Sequence, residues 1–470
     1  MMVPTRRSTR RKSSKVISMP ELPELCQMTQ PIVIIGGGWA GIAAAVHAVE
    51  RGHCVVLVEE RPYLGGRARS FVDRTTGEVI DNGQHLMMGA YRHALQTIER
   101  LGTMSKLRRQ TALHVRFAEP GGHTDELNAR AFGLPGKIGV AMGIMGLRRV
   151  SLRGRLAAMR FAVRLQLGMV DPVGKTCLQL LQEERQPADV ITRLWEPIIL
   201  ATLNAPMDRA AASLLTTVLS RAFFGGADAS ALVIPTDGLS ALIEPLPDLI
   251  CQRGGDVLVS TSVDAIHVTD GRATGVTLSD GRLIPVDGVV CAVPPRALVR
   301  IAGAPDVAMP DLSFSPIVSI YLWYDVAWMV DEFVAVLGTT VQWVFNRRAM
   351  VRASADHVAR YPGHVALTIS AGSALVDQTA DDIIAACDAE LRSVFAPMAG
   401  VSLLHGLVIK EKAATFLSTP DVEQRRSHPR TAISNVVLAG DWTATELPAT
   451  IEGAAQSGVA AVDVLLGGRH

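Results

Sequence analysis

Three glycines near the amino-terminal end of the chain have the spacing of a phosphate-binding turn. Gly36, Gly38 and Gly41 fit the pattern G-x-G-x-x-G within the string VIIGGGWAGIAAAV. In such a turn the first glycine permits a tight bend, the second lets the backbone approach a diphosphate, and the third lets helix and strand lie close together. The pattern alone is weak, because glycine-rich turns are common, so the neighbouring elements decide its meaning.

The elements around the turn complete a dinucleotide-binding unit. Residues 31–35 are apolar and β-branched, as in a buried parallel strand, and residues 42–51 predict a helix that ends at Gly52. A second apolar strand follows and ends at Glu59, 18 residues after Gly41, which is close to the distance expected for a ribose-binding acid. The order strand, glycine turn, helix, strand, acid predicts that a dinucleotide diphosphate binds at the start of the helix.

The residues after Glu59 distinguish FAD from NAD. The chain continues as ERPYLGGRARSF, which resembles the second signature of the flavin amine oxidase and phytoene desaturase superfamily, an acid followed by L-G-G-R. In this string Gly66 permits a second close approach of backbone to cofactor, and Arg67 can neutralise the diphosphate with its forked donors. The resemblance therefore implies FAD as the cofactor.

The carboxyl-terminal end resembles the same superfamily independently. The string LAGDWTATELPATIEGAAQSG contains Gly440-Asp441 and then the pattern E-G-A-x-x-S-G. The resemblance implies that Asp441 binds the ribityl–diphosphate region and that the backbone around Thr450 and Ile451 faces the flavin ring. A helix is expected to follow this turn.

Two further segments contribute to the implied FAD site. Residues 256–295 alternate as short strands separated by Asp-Gly turns, and the resemblance implies that Val263 contacts adenine through its backbone. The segment that begins at Asp81, with Gly83 and Gln84, lies beside the isoalloxazine ring in the same superfamily. Asp81 itself is expected to order its own turn.

These segments predict an α/β fold with a Rossmann-like FAD-binding domain of the GR2 type, built from discontinuous pieces, and a mixed α+β substrate-binding domain. The first 30 residues, with six cations and no acid before residue 16, are expected to form a disordered basic tail. The predicted divisions are 1–30 for the tail, 31–90, 230–296 and 431–470 for the FAD-binding domain, and 91–229 and 297–430 for the substrate-binding domain.

Three local strings point to one branch of the superfamily. DNGQHLMMGAY at 81–91, LWEPIILATLNAP at 194–206 and KEKAATFLSTP at 410–420 resemble the squalene-associated branch, the hydroxysqualene dehydroxylases. That resemblance implies an isoprenoid lipid substrate and reductive removal of the allylic hydroxyl of hydroxysqualene, giving squalene for hopanoid synthesis. Such a reaction needs a general acid, an apolar tunnel, little water, and an electron donor for the flavin that the sequence does not identify.

Two residues are catalytic candidates. Glu196 lies in the apolar string LWEPIIL, where burial would raise its pKa and keep it protonated, although a surface or helix-end position is the alternative. His85 lies beside the flavin by resemblance, with a purely structural hydrogen bond as the alternative. The sequence leaves open the roles of three further residues: Lys410, Lys412 and Glu452.

Other functions on this scaffold remain alternatives. A carotenoid-type desaturase and an amine oxidase are the nearest, although Trp442 is the one aromatic residue between 431 and 470, which disfavours an aromatic amine-binding cage. A flavin-free prenyl-binding escort protein is a further alternative. Glu59, Arg67 and Asp441 argue against it, because such a protein would not need cofactor-binding residues.

One stretch indicates a partner without reference to the superfamily. From Asn128 to Val170 there are eight cations and no acid, interleaved with apolar runs. Such a stretch is typical of an interfacial segment on anionic lipid, and the alternative is a helix pair whose arginines face solvent; five glycines between 131 and 147 argue against a clean helix. We therefore expect a cytoplasmic protein with peripheral contact at the inner face of the membrane.

Bulk properties exclude other classes of function. The net charge of +1 and the lack of aromatics near the basic stretch argue against nucleic-acid binding. The cysteine and histidine spacings match no metal-binding motif, so no metal site is expected. No segment of 18 or more uncharged apolar residues occurs, so no transmembrane helix is expected.

Overall fold

The computed structural model describes residues 30–129, 136–307 and 312–467. The predicted basic tail lies outside the described residues apart from Gln30. In chain order the described strands are β1 (Ile32–Ile35), β2 (Val55–Val58), β3 (Ser70–Val72), β4 (Val79–Asp81), β5 (Met87–Met88), β6 (Leu107–Arg109), β7 (His114–Glu119), β8 (His123–Asn128), β9 (Leu232–Pro235), β10 (Asp256–Leu258), β11 (Val263–Thr269), β12 (Arg272–Leu278), β13 (Leu283–Pro285), β14 (Gly288–Cys291), β15 (Phe314–Tyr324), β16 (Phe333–Val336), β17 (Trp343–Asn346), β18 (Gly363–Ser370), β19 (Leu403–Phe416) and β20 (Val436–Leu438).

The helices connect and cover these strands. In chain order they are α1 (Trp39–Glu50), α2 (Arg92–Arg100), α3 (Gly136–Gly146), α4 (Leu152–Gln166), α5 (Cys177–Glu183), α6 (Ala188–Val190), α7 (Glu196–Leu203), α8 (Ala212–Val218), α9 (Ala227–Ser230), α10 (Leu246–Cys251), α11 (Pro295–Leu298), α12 (Arg347–Met350), α13 (Ala355–Arg360), α14 (Ala380–Val394), α15 (Pro420–Gln424) and α16 (Ile451–Leu465).

A five-stranded parallel sheet forms the centre of the first layered unit, in the order β10-β2-β1-β14-β20. The three central strands β2, β1 and β14 are buried on both faces, which explains their uninterrupted apolar sequences. Because side chains alternate along a strand, Ile32 and Ile34 contact the layer of α1 and α16, whereas Val33 and Ile35 contact the β11–β12–β13 meander. The strands come from three separated segments, so the predicted discontinuous α/β fold is confirmed.

Two helices cross closely over this sheet. A Cβ atom at Gly458 of α16 would lie 2.1 Å from the carbonyl oxygen of Ala40 in α1, so only glycine permits this approach. Helix α2 lies beside them, and its Ala94 and Ile98 join the same apolar cluster. Thus α2 packs with the dinucleotide fold although the sequence assigns it to the substrate half, and the predicted domain boundaries stay predictions.

A seven-stranded mixed sheet organises the other half, in the order β19-β15-β18-β17-β16-β7-β8. Neighbouring strands are antiparallel except for β7 and β16, which are parallel. Helix α14 covers one face, while Tyr321 and Trp323 of β15 point from the other face into a large apolar cluster with helices α3 to α8. This arrangement matches the expected mixed α+β architecture.

The helical layer contains two π-helical turns, Ile191–Trp195 before α7 and Leu219–Phe223 after α8. Both turns line an apolar cavity, together with Val140 and Ile144 of α3. Helix α3 forms in spite of its glycines, contrary to the sequence expectation. One reason is that Gly143 lies against β8, where a Cβ atom would come within 3.2 Å of the backbone of Asn128.

Candidate flavin-binding and active site

The turn after β1 is built by two glycines. Gly36 has a φ of +106° and donates its amide to Val58 at 2.7 Å, which fixes the end of β1 against β2. A Cβ atom at Gly41 would lie only 1.9 Å from the carbonyl oxygen of Gly36. Both positions therefore require glycine for the turn itself, before any cofactor is considered.

Gly38 has a different role, because the space in front of it is open. It precedes the first residue of α1, no side chain caps that helix, and a Cβ atom at Gly38 would meet no atom within 4 Å. Gly38 also bridges to Gly65, and a Cβ atom at Gly66 would lie 3.3 Å from the Cα of Gly38. Two glycine-rich backbones thus meet at an uncapped helix N-terminus, where amide groups and the helix dipole favour an anion.

Glu59 fixes the same turn through its carboxylate. Oε2 accepts a hydrogen bond from the amide of Gly37 at 2.6 Å, and Oε1 accepts one from the amide of Arg61 at 2.8 Å. Each carboxylate oxygen retains a further lone pair, so both can also accept hydrogen bonds from ribose hydroxyls. A Cβ atom at Gly37 would lie 2.5 Å from the side chain of Leu64, and the sequence did not predict that these two residues are so close.

Val263 is joined to this acid through the backbone. Thr261 donates its amide to the carbonyl of Glu59 at 3.0 Å, two residues before Val263 begins β11. Val263 is itself buried among the residues between the meander and the parallel sheet. The structure therefore ties the segment that leads into Val263, the predicted adenine-contacting residue, to Glu59, the predicted ribose-binding acid.

Arg67 links the amino-terminal segment to the carboxyl-terminal one. Its guanidinium donates to the carboxylate of Asp441 at 2.7 Å and to the carbonyl of Ala414 at 2.6 Å. Asp441 is almost fully buried, whereas Arg67 remains 42% exposed and can contact an anion in addition. The two residues predicted from separate motifs therefore form one ion pair.

The carboxyl-terminal motif holds its own turn. Ser457 in α16 accepts a hydrogen bond from the amide of Gly440 at 2.8 Å, and Thr450 caps α16 by accepting from Gly453 at 3.1 Å. Ile451 is therefore the first residue of a helix that starts beside the Gly440–Asp441 turn. The motif residues thus shape the turn that the superfamily places against the flavin ring.

Arg426 is a residue that the sequence analysis missed. It is buried and donates to the carbonyls of Asp441 and Leu447 at 2.6 and 2.8 Å, and to the hydroxyl of Thr445. Its partner Glu423 lies 2.9 Å away. Arg426 thereby holds the whole 441–447 loop, and no local sequence pattern could have identified it because its partners are brought together only by the fold.

FAD fits this set of residues. The open helix N-terminus at Gly38 suits the diphosphate, Arg67 supplies a half-exposed cation, and Glu59 offers acceptors for ribose. No acidic side chain in the first turn of α1 and no side-chain cap competes with a bound anion there. The chemistry of these donors and acceptors therefore agrees with a flavin adenine dinucleotide rather than with a plain structural turn.

The segments around Gly38, Gly66, Glu59 and Arg67 form a surface that we call the cradle. Residues 82–88, which we call the flavin loop because the resemblance places this segment beside the isoalloxazine ring, connect the cradle to the substrate half. Asp81 accepts from Ser70 at 2.6 Å and from the amide of Leu239 at 3.0 Å, so it orders the fold around itself. Asn82 donates to the carbonyl of Arg67 at 3.1 Å. A Cβ atom at Gly83 would lie 3.0 Å from Oγ of the buried Ser319, which explains the glycine.

Gln84 and His85 lie in the same loop with different partners. Gln84 accepts a hydrogen bond from the buried Arg347 at 2.9 Å. Nδ1 of His85 lies 2.6 Å from the carbonyl oxygen of Gly83, so Nδ1 is the donor and carries the proton. Burial lowers the pKa of His85, in opposition to the Gly83 hydrogen bond and the charge of Asp81.

Glu196 stands at the junction of a π-helical turn and α7. Burial raises its pKa, as the sequence predicted. Its neighbour Trp195 is fully buried in the apolar cluster that also receives Leu86, the residue after His85. The two predicted catalytic residues therefore border the same apolar cluster from opposite sequence segments.

Strand β19 carries charged residues whose roles the sequence left open, and it places neighbouring ones on opposite faces of the sheet. Lys410 donates to the backbone carbonyls of Val376 and Gln378, on the face of the sheet that helix α14 covers. Lys412 is exposed. Glu411 instead accepts from Asn82 at 3.3 Å and lies on the same side of the strand as Ile409, so it is the charged residue of this strand that reaches the flavin loop.

Glu452 is used as a helix cap. One carboxylate oxygen accepts from the amide of His93 at 3.1 Å and from its ring at 2.9 Å, and the other accepts from the amide of Ala94 at 2.9 Å. These are free donors at the start of α2, which a buried carboxylate stabilises. Of the two roles open for Glu452, this geometry favours support of the cofactor domain.

A buried ion cluster lies under the flavin loop. Glu78 pairs with both guanidinium nitrogens of Arg348 at 2.6 and 2.8 Å, contacts His364 at 3.2 Å and accepts from the indole of Trp323 at 3.1 Å. These bonds hold the pKa of Glu78 below its usual range in spite of burial. Burial lowers the pKa of His364 to about 3, so this ring is neutral.

Among the described residues no group of three or more His, Cys, Asp or Glu side chains could hold a metal ion. Within the same residues, no helix is both long and apolar enough to cross a bilayer.

Comparison with known proteins identifies the family of the chain. The family model for flavin-containing amine oxidoreductases matches residues 39–466. A hydroxysqualene dehydroxylase of Sinorhizobium fredii is 29% identical over 449 residues, covering 93% of this chain and 99% of the relative. A protein of the same name from Rhodopseudomonas palustris is 29% identical over 446 residues, with the same coverage. A 15-cis-phytoene desaturase of Synechococcus elongatus is 22% identical, covering 91% of this chain and 94% of the relative.

Solved structures show the same fold at low sequence identity. An oxidoreductase from Methanosarcina mazei has a TM-score of 0.69 at 16% identity, covering 92% of this chain and all of that one. Cyclohexylamine oxidase from Brevibacterium oxydans has a TM-score of 0.67 at 17% identity, covering 93% and 99%. Since the family model covers residues 39–466 and therefore most of the chain, this FAD-dependent oxidoreductase belongs to the family of flavin-containing amine oxidoreductases, and within it the chain is similar to the hydroxysqualene dehydroxylases.

Proposed function

We propose that this protein reductively removes the allylic hydroxyl of hydroxysqualene and so supplies squalene for hopanoid synthesis. The observation that carries the proposal is the loop 82–88. Asn82 bonds to the flavin cradle at Arg67, while Leu86 and Met88 enter the large apolar cluster of the substrate half. A long apolar substrate with one polar group matches a site where a polar cradle meets an apolar interior.

The proposed reaction consumes one proton and one hydride. The hydroxyl oxygen is protonated, the carbon–oxygen bond breaks, water leaves, and the resulting allylic cation on the substrate accepts hydride. Bound FAD, once reduced by a donor that remains to be identified, supplies that hydride. The chain must therefore provide the proton, orient the allylic carbon and exclude water.

Glu196 is the proposed proton donor. Burial raises its pKa, which moves the range in which the carboxyl keeps its proton in the direction of neutral pH, as a general acid requires. His85 is neutral at that pH because burial lowers its pKa, and Nδ1–H is already bonded to Gly83. We therefore assign His85 a positioning role, in which its Nε2 accepts a hydrogen bond from the substrate hydroxyl or the departing water.

The cofactor-binding roles follow the cradle. The two backbones at the diphosphate are shaped by Gly36, Gly38, Gly41 and Gly66. Arg67 neutralises the charge of the diphosphate, and Asp441 binds the ribityl–diphosphate region. Glu59 binds ribose and Val263 contacts adenine. Gly83, Gln84, Gly440 and Ile451 face the flavin ring.

An anaerobic half-reaction tests the proposal. The flavin-loaded protein is reduced, hydroxysqualene is added in detergent, and the flavin spectrum is followed while lipids are extracted. We expect stoichiometric reoxidation and one squalene per flavin. Flavin that stays reduced would contradict the proposal, and the oxidised protein would then be tested with phytoene-like polyenes and with amines.

The proposed location is the cytoplasm, with peripheral contact at the anionic inner face of the membrane through residues 128–170. An isoprenoid substrate dissolves in the bilayer, so such contact would bring the protein to it. Arg130 of this stretch lies outside the described residues.

A further inference from the structure

Helix α4 presents an apolar stripe to solvent. Its members are between 52% and 67% exposed and lie within an arc of about 60° on a helix of 3.6 residues per turn. The exposed apolar residues Met169 and Val173 extend the stripe beyond the end of the helix. We name this surface the docking face, and its residues are Leu152, Leu156, Val163, Leu167, Met169 and Val173.

The opposite side of α4 is anchored in the core. Phe161 is fully buried and meets Trp195 edge to face, with ring centroids 5.5 Å apart. Ala158 and Ala162 are buried beside it. The exposure of the docking face is therefore not an effect of a loosely placed helix, since the other side of the same helix is held by the substrate half.

Free cations border the docking face. Arg148 and Arg153 are exposed, and Lys137 is exposed on the neighbouring helix α3. Arg155, Arg160 and Arg164 instead donate hydrogen bonds to Met145 and Glu184, although Arg160 is itself exposed. The basic stretch thus divides into arginines that bond to the protein and the exposed cations Arg148, Arg153 and Lys137 beside the apolar stripe.

The acids near this face are already engaged. Asp125 accepts from the amides of Arg148 and Arg149, and Asp189 accepts from the amide of Ser151 at 2.7 Å. Glu184 pairs with Arg164 at 2.9 Å. The exposed Asp171, at the far end of the stripe, accepts from the amide of Val173 at 3.1 Å. Bonds from neutral amides leave these carboxylates charged, but the cations named for this region still outnumber its named acids, so the balance at the surface is positive.

We propose that the docking face binds an anionic phospholipid bilayer, with the α4 stripe in the headgroup–acyl boundary and Arg148, Arg153 and Lys137 on lipid phosphates. An apolar stripe with a cationic border is complementary to such a surface, whereas a purely apolar face would not distinguish anionic from neutral lipid. The buried side of α4 contacts Trp195, the neighbour of Glu196, and Trp195 lines the apolar cavity between the two π-helical turns. The bilayer therefore contacts the helix that packs against the neighbour of the proposed acid. The use of this contact for delivering substrate rests on the proposed function, whereas binding to the bilayer does not.

Co-sedimentation of the flavin-loaded full chain with phosphatidylcholine vesicles, with and without phosphatidylglycerol, tests the proposal. The double variant L156S/L167S should lower the partition coefficient by about tenfold or more, because two exposed leucines no longer enter the bilayer. R153Q should lower binding by about fivefold on vesicles with phosphatidylglycerol and leave phosphatidylcholine vesicles unaffected. Added salt should weaken binding of the wild type.

Two variants serve as matched controls. V330S changes a valine that is 94% exposed elsewhere on the surface, and R253Q changes an exposed arginine outside the docking face. Both should bind vesicles as the wild type does. Equal binding by wild type and L156S/L167S, or equal binding to both kinds of vesicle, would overturn the proposal.

Two further measurements, of oligomeric state and of squalene formation, distinguish the possible explanations. A concentration-dependent dimer that L156S/L167S dissociates, without vesicle binding, would assign the face to a second copy and overturn the proposal. Squalene formation from detergent-dispersed substrate should be unaffected by L156S/L167S, while formation from vesicle-embedded substrate should fall. Vesicle binding that depends on the docking face, in a protein that forms no squalene, would refute the proposed function and leave the docking surface standing.

Discussion

The guanidinium of Arg67 lies 2.7 Å from the carboxylate of Asp441, across 374 residues of sequence. The same guanidinium also donates to Ala414, at the end of the long strand β19 of the substrate half. One side chain thus joins the amino-terminal glycine segment, the carboxyl-terminal motif and the substrate-side sheet. The cradle is therefore held in place by the protein's own ion pair, and a bound diphosphate adds to it.

This pair predicts that R67Q weakens flavin retention. Removing the cation leaves Asp441 nearly buried without its partner and removes a charge from the diphosphate. We expect the flavin dissociation constant to rise by about tenfold, equivalent to about 1.4 kcal/mol. Titration of the apoprotein with FAD measures it. R69Q, which removes an arginine stacked on Tyr63 at 4.0 Å, is the control, and a comparable loss in that variant would deny Arg67 a specific role.

Gly38 should separate cofactor binding from folding. A side chain at Gly38 meets no protein atom within 4 Å, so G38V should fold, yet its methyl groups would occupy the space in front of the helix N-terminus. We expect an intact circular dichroism spectrum and loss of nearly all bound flavin. The control G146V adds the same side chain at an exposed glycine with equally open surroundings. Normal flavin content in folded G38V would refute the assignment of the turn.

The cradle was predictable because its signals are local. The glycines, Glu59 and Arg67 lie within one strand–turn–helix–strand unit, whose spacing alone fixes where each residue stands. Asp441 was recognised in the same way from its own motif. The ion pair between Arg67 and Asp441 could not be read from either motif, because it depends on how two distant segments meet.

The residues that were missed depend on tertiary contacts. Arg426 holds the 441–447 loop from a segment with no recognisable motif. Lys410 and Glu411 are adjacent in the sequence, and which of them faces the flavin loop depends on the register of β19 against β15. A shift of one residue would exchange them, and sequence periodicity does not determine that register.

Glu196 predicts a variant that binds flavin but does not turn over. E196Q keeps the shape of the side chain and removes the proposed proton, so we expect kcat to fall by about 100-fold or more with flavin content unchanged. The wild type should lose activity as pH rises through the raised pKa of Glu196, because the acid form is the active one. If E196Q still loses activity as pH rises in this way, the loss is due to the titration of a group other than Glu196. E183Q, at an exposed helix end, is the control.

Glu452 predicts a loss of stability rather than of chemistry. It caps two amides of α2 and bonds the ring of His93, and E452A leaves these donors buried without an acceptor. We expect a loss of about 1–3 kcal/mol in the free energy of unfolding. Any flavin-dependent turnover should survive in the folded fraction. A variant of normal stability with kcat reduced 100-fold would instead make Glu452 a catalytic residue.

The ion cluster under the flavin loop predicts how stability depends on pH. His364 has its pKa lowered to about 3 in the folded protein, so between pH 6.5 and 3 the unfolded chain binds a proton that the folded protein excludes. Stability must therefore fall as pH decreases through this window, by up to about 1.4 kcal/mol for each pH unit. Glu78 has a lowered pKa, so its stabilising contribution is present above about pH 4.5 and is lost only as pH falls further. Between pH 6.5 and 4.5 the Glu78 contribution therefore stays constant, and the contribution of His85, whose pKa is also lowered, is common to the wild type and to a variant changed at His364.

H364Q tests this directly. The glutamine can still donate to Glu78 but does not titrate, so the urea midpoint of the flavin-loaded variant should change less between pH 6.5 and 4.5 than that of the wild type. H267Q, which removes an exposed histidine bonded to Thr277, should follow the wild type because no buried proton site is lost. A wild-type slope retained in H364Q would show that His364 is protonated in the folded protein, and the cluster would then contain an imidazolium between Glu78 and Arg348.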